Sequence, residues 1–126
     1  MSKARQRPKS GLFYWNELLT AGVPAAKKFY ASLLGWKTEP FGKDVEYTLF
    51  TKGRDNAGGM MKCPKPGNPA QWIPYVIVDN VDATAKKATR LRGKVVMPPF
   101  DVPTVGRVAV LVDPQGAAIG IIKPAM

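Results

Sequence analysis

Apolar residues recur along this chain with two different periods, and the switches between them mark its elements. LFYWNELL (12–19) is dense in bulky and aromatic residues and predicts a strand. Its alternation puts Phe13, Trp15 and Glu17 on one face and Tyr14, Asn16 and Leu18 on the other. Ala26, Phe29, Tyr30, Leu33 and Leu34 then recur at i, i+3, i+4, i+7 and i+8, which predicts a helix whose apolar stripe leaves out Lys27 and Lys28. Thr20 and Pro24 suit its start and Gly35 its end. Three short strands are predicted next, at Trp36–Phe41, Glu46–Thr51 and Ala57–Lys62, with turns at Gly42 and Lys52-Gly53.

CPKPGNPAQ (63–71) breaks the pattern with three prolines and a glycine, and reads as a linker. The order of elements then starts again. Trp72–Val78 is strand-like, Asp82 is the expected N-cap, and Ala83–Arg92 forms a helix stopped by Gly93. Lys94–Met97, Arg107–Val112 and Ala117–Lys123 supply three more strands, with PPFDVPTVG (98–106) as a loop or irregular edge. The chain is therefore expected to be α+β, with two β-α-β-β-β units at about 11–62 and 72–123 inside one domain, 11–126. Ala26-Lys27-Lys28 and Ala85-Lys86-Lys87 match at an offset of 59 residues. Each unit has one helix for one sheet face, so the other face needs a partner. Two units side by side would give a curved eight-stranded cup with the helices outside.

Composition changes this picture in three places. The 19 basic and 9 acidic residues give a net charge of +10, and Lys3, Arg5, Arg7 and Lys9 lie in an acid-free segment, 1–10, that reads as a flexible basic tail. A positive field favours anionic ligands or non-specific nucleic-acid contact. No helix-turn-helix, zinc-finger or RNP-type signal accompanies it, so nucleic-acid binding is expected only through the tail. Cys63 is the single cysteine, which excludes an intrachain disulfide and fits a reducing, cytoplasmic setting. No apolar run spans a bilayer and no secretory signal is read, so no membrane role is expected.

FYWNELLT with AAKKFYASLLGW, VIVDNVDATAKKATRLRGKVV, and VPTVGRVAVLVDPQGAAIGIIK, in that order, resemble the glyoxalase/bleomycin-resistance/extradiol-dioxygenase superfamily, also called vicinal oxygen chelate proteins. The likeness runs from about Gly11 to Lys123. It implies a paired β-α-β-β-β cup, a homodimer, and in the family's enzymes a divalent metal held by histidine and carboxylate ligands. Carried onto this chain, the ligand positions fall on Trp15, on Ile73 (Pro74 by the 59-residue offset), and on Gly120 with Met61 as its counterpart. None of these side chains binds a metal. The chain has no histidine at all, so neither a two-histidine-one-carboxylate face nor a histidine-based zinc site can be built. No metal and no cofactor are expected.

Glu17 is the one acid expected to face the groove, where desolvation would raise its pKa and make it a weak candidate general base. A structural ion pair or backbone-bonded carboxylate accounts for it better. Arg107 offers a fork for an anion, or pairs with Glu17 or Asp101. Cys63 has no histidine to activate it. The expected ligand-binding set is Trp15, Glu17, Tyr47, Met61, Trp72, Ile73, Tyr75, Phe100, Arg107 and Gly120. Core filling explains its aromatic members equally well. The leading expectation is a metal-free protein that binds a small apolar or weakly anionic molecule in the cup. The alternatives are a glyoxalase-type lyase, isomerase or dioxygenase-related enzyme working without the usual metal, and a basic nucleic-acid-associated protein.

Overall fold

In the computed structural model, which describes residues 9–40, 47–63, 69–103 and 105–125, the elements follow in the order β1 (Phe13–Thr20), α1 (Val23–Leu34), β2 (Lys37–Pro40), β3 (Tyr47–Lys52), β4 (Asp55–Lys62), β5 (Gln71–Ile77), α2 (Val81–Arg90), β6 (Lys94–Val102), β7 (Gly106–Val112) and β8 (Ala118–Pro124). This is the α+β class with β-α-β-β-β order occurring twice, as the periodicity predicts. Two compact units result, Trp15–Ile73 and Pro74–Met126 with the residues up to Tyr14. Their boundaries fall within β1 and β5. Most of the expected basic tail (residues 1–8) and of the expected linker (64–68) lies outside the described residues.

The Trp15–Ile73 unit runs β2-β3-β4-β1, antiparallel except for the parallel β4–β1 pair. Thr20 Oγ1 accepts the Gly22 N–H at 3.1 Å just before α1, and Pro24 occupies its first turn. Gly35 ends the helix in the left-handed region at φ 72°, where its N–H reaches the Ala31 carbonyl at 3.0 Å. Beneath α1 lie the buried Leu18, Phe50 and Met60, with Val23, Ala26, Tyr30, Trp36 and Trp72 packed on them. Tyr30 is the pivot: its ring stands 5.6 Å from Trp36 and 5.5 Å from Trp72, and its hydroxyl accepts the Trp72 Nε1–H at 3.1 Å. The predicted apolar stripe is thus only half used. Ala26 and Tyr30 turn inward, whereas Phe29, Leu33 and Leu34 are exposed. Propped on Tyr30 over two tryptophans, the helix leaves the Phe29 side of its stripe outside.

The other unit runs β5-β8-β7-β6, with β5–β8 parallel and the remaining pairs antiparallel. Val81 and Ala85 of α2 pack on Ala109, Leu111 and Ile121. Two local expectations are corrected here. The N-cap of α2 is Asn80, not Asp82; its side chain accepts the Ala83 N–H at 2.9 Å, which leaves Asp82 in the first turn. The left-handed residue after α2 is Arg92 (φ 74°) rather than Gly93, whose N–H returns to the Ala88 carbonyl at 2.8 Å. Of the two readings of segment 98–106, the irregular edge holds as far as Val102, which β6 reaches through two register shifts. β6 is the last strand in its unit's order, and its second register shift spans Pro98-Pro99, so an edge position and a bulge together spare the ladder the two missing donors. Asp113 Oδ1 accepts from the Gln115 and Ala117 amides and sets the β7–β8 turn.

Candidate functional site

Alternation along β1 places Trp15 and Glu17 on the face opposite Leu18. The register brings Gly59 of β4 beside Glu17 and Tyr47 of β3 beside Met61 of β4, so all five residues share that face. Side chains there are joined by two hydrogen bonds. Trp15 Nε1–H donates to the Tyr47 hydroxyl oxygen at 3.0 Å, and the Tyr47 O–H donates to Glu17 Oε1 at 2.9 Å. Tyr47 is 3% exposed and Glu17 4%, whereas Trp15 is half-buried. A chain of donors ending on a carboxylate strengthens each link, and more so away from water. Burial, and then the charge of Glu17, push the Tyr47 hydroxyl well above its ordinary pKa, so it stays protonated as a donor.

Gly59 makes this arrangement possible. A Cβ there would collide with the hydroxyl end of Tyr47, so only glycine lets the phenol cross β4 to reach Glu17. The other unit repeats the device: a Cβ on Gly120 would enter the ring of Tyr75, which lies opposite it on β5 and is itself 1% exposed.

Within the Trp15–Ile73 unit the expected ligand residues divide between the two faces of the sheet. Trp15, Glu17, Tyr47 and Met61 share a face. Trp72 lies on the other side of its sheet, in the aromatic group beneath α1. Ile73 and Tyr75 are buried along β5, and Gly120 lies beneath the Tyr75 ring. Phe100 is half-buried on β6 opposite Val108. Arg107 is ion-paired with Asp82 at 3.0 Å and Asp101 at 3.1 Å, and those hydrogen bonds, Asp82's first, raise its pKa. Of the pairings anticipated for it, Asp101 is realised and Asp82 is added.

A cavity of about 330 Å³ opens where the start of α1 meets the ends of β2, β3 and β4, lined by Val23, Pro24, Pro40, Tyr47, Thr48, Met60 and Lys62. Among the described residues its walls are largely apolar, with two hydroxyls and one ammonium as their polar groups. Only Tyr47 of this lining was expected from the sequence. The rest come from four separate elements that no local motif connects. A groove of about 370 Å³ runs between α2 and β6, but its carboxylate, Asp82, is engaged by Arg107.

The residues present do not fit the metal that the resemblance implies. The sequence has no histidine, and among the described residues no three acidic or cysteine side chains gather. Of the implied ligand positions, Gly120 has no room for a carboxylate under Tyr75, and Trp15 is a hydrogen-bond donor.

The family model for the Glyoxalase/Bleomycin resistance protein/Dioxygenase superfamily matches residues 15–121. A Mycobacterium tuberculosis protein named "Putative glyoxylase CFP32" is 41% identical over 119 residues, covering 93% of this chain and 46% of that one. The anthracycline biosynthesis protein DnrV of Streptomyces peucetius is 31% identical over 123 residues, covering 85% of this chain and 45% of that one. The chain thus spans about half the length of these relatives. Among solved structures, the methylmalonyl-CoA epimerase of Mycobacterium tuberculosis superposes with a TM-score of 0.58 at 16% identity, over 90% of this chain and 88% of that one.

Proposed function

Because this chain belongs to the glyoxalase/bleomycin resistance protein/dioxygenase superfamily, we propose that it binds a small apolar or weakly anionic molecule, without a divalent metal, in the cavity beside Tyr47. The lining of that cavity carries the reading. Val23, Pro24, Pro40 and Met60 offer apolar contact, while Lys62 offers one positive charge, with no carboxylate among the described residues of the wall. A volume near the lower end of the usual ligand-pocket range suits one small ring or a short chain. Glu17 has a structural part: it receives the Tyr47 hydrogen bond and holds that ring at the cavity edge.

No helix among the described residues is long and apolar enough to cross a membrane. With one cysteine in the chain, a cytoplasmic setting completes the proposal.

Benzoate and benzylamine, equal in size and opposite in charge, test it by calorimetric titration. Benzoate is expected to bind and benzylamine not, and Lys62→Met should abolish the preference while leaving the fold intact. Equal binding of both probes, or of neither, sinks the ligand class. Native mass spectrometry of protein purified without chelators, showing one divalent ion per chain, sinks the metal-free part.

A further inference from the structure

The two helices carry their charge differently. α1 has only Lys27 and Lys28, whereas α2 and the residues after it hold Lys86, Lys87, Arg90, Arg92 and Lys94, with no acid between Ala83 and Phe100. All five cations are exposed, and among the described residues none of them is in an ion pair. At about 100° per residue, Lys86, Arg90 and Lys87 fill an arc of roughly 100° on the side opposite Val81 and Ala85, the residues that seat the helix. They therefore occupy its outermost face. Stability alone does not account for them. Cations in a last turn suit the helix dipole, which explains Lys87 and Arg90. It does not explain Lys86, whose i, i+4 spacing from Arg90 sets like charges side by side. Arg92, moreover, holds a left-handed backbone at φ 74°, a conformation that glycine adopts without strain. Repulsion and strain are both retained to keep positive charge here.

The chain's other basic cluster leads to this face. Ser10 lines the same surface hollow as Lys87 and Arg90, so the chain reaches α2 directly from its basic segment, Lys3, Arg5, Arg7 and Lys9. Asp79 is the one acid among the described residues of that hollow. Unpaired cations on a convex helix, continued in sequence by a basic segment, complement a regular row of phosphates. The B-form major groove admits an α-helix, whereas the A-form groove is deep and narrow. The arc carries no aromatic ring to stack on an unpaired base and no bulky apolar side chain to enter a bilayer. Duplex DNA, held by its backbone without reading of bases, is the partner that fits.

We propose that the outer face of α2, formed by Lys86, Lys87 and Arg90 with Arg92 at its end, docks on the phosphate backbone of double-stranded DNA, independently of the small molecule in the Tyr47 cavity. Fluorescence anisotropy of the full chain with short duplexes of two unrelated sequences should give equal affinities that fall with salt. Lys86→Gln/Lys87→Gln/Arg90→Gln should lower the slope of log affinity against log salt by about 2 to 3, near one for each lost phosphate contact. Lys27→Gln/Lys28→Gln/Lys37→Gln removes the same charge from exposed positions of the Trp15–Ile73 unit and should leave that slope within about 1 of wild type. Arg92→Gly relieves the backbone, so it should leave the melting temperature undiminished while weakening DNA binding. Equal losses from the two triple variants, an unchanged slope in the α2 variant, or Arg92→Gly binding as tightly as wild type would overturn the proposal. So would binding to anionic lipid vesicles or to a polyglutamate peptide with none to either duplex.

Discussion

Removing one oxygen, in Tyr47→Phe, tests the buried hydrogen-bond chain. The ring keeps its place over Gly59, so packing is preserved and only the hydroxyl is lost. That hydroxyl donates to Glu17 Oε1 at 2.9 Å, and a hydrogen bond to a charged group contributes about 1.5–3 kcal/mol. The Trp15 N–H loses its acceptor as well, but Trp15 is only half-buried and can turn to water. The expected loss at pH 7 is therefore about 2 kcal/mol. The pH dependence sharpens the test. In the unfolded chain Tyr47 ionises near pH 10, whereas in the folded chain burial and Glu17 hold it protonated well above that. Above pH 10 the folded state keeps a proton that the unfolded state releases, so this part of the stability is complete below pH 10 and is lost as pH rises. The loss is about 1.4 kcal/mol per pH unit. Phenylalanine has no such proton. The gap between wild type and Tyr47→Phe should therefore narrow by about 1.4 kcal/mol between pH 7 and pH 11. Urea unfolding followed by tryptophan fluorescence measures both numbers. A gap that stays constant with pH, or is absent at pH 7, would show that the hydroxyl is not sealed against Glu17.

Other perturbations give equally definite outcomes. Gly59→Ala should cost about 3 kcal/mol, because its Cβ enters the space of the Tyr47 hydroxyl, and Tyr47→Ala should relieve part of that cost in the double variant; additive unfolding free energies would contradict the contact. Trp15→Phe keeps most of the ring and loses the donor, so thermal unfolding should report a loss of about 1 kcal/mol. A Trp15→His variant should bind no zinc in a calorimetric titration, because one histidine in a chain with no other, and with no gathered set of acids among the described residues, falls short of the three protein ligands zinc needs. Asn80→Ala should cost about 1 kcal/mol through loss of the α2 cap, while Asp82→Ala should cost less; the reverse order would restore Asp82 as the cap.

Periodicity located the elements because it is a local property. The two apolar periods, the Lys52-Gly53 turn and Gly35 each act within a few residues, and they appear where the pattern put them, while the expected turn at Gly42 lies outside the described residues. Alternation likewise set Glu17 and Trp15 on one face. What the sequence did not reveal is relational. Tyr47 meets Glu17 because the β3–β4 and β4–β1 registers bring them across Gly59, a pairing no period encodes. The Gly58-Gly59 doublet was the available signal, since adjacent glycines inside a strand mark close approach. Phe29 fell on a valid apolar stripe and still lies outside, because the direction in which a stripe faces depends on Trp36 and Trp72 beneath Tyr30. Asn80 lost the N-cap to Asp82 in the sequence because both are good caps two residues apart, and only backbone angles separate them.

Gly120 and Tyr75 carry a consequence for descent. A carboxylate at position 120 would require the ring at 75 to leave first, yet removing that ring opens a hole in a core where Tyr75 is 1% exposed. Either order of change passes through a less stable intermediate, by overpacking or by a void. Adjacent codons cannot solve this, for the two residues are 45 positions apart in sequence and touch only in the fold. A lineage that has adopted this pair is held there by a fitness valley, and any larger side chain at 120 would need compensating mutations elsewhere before either step survived selection.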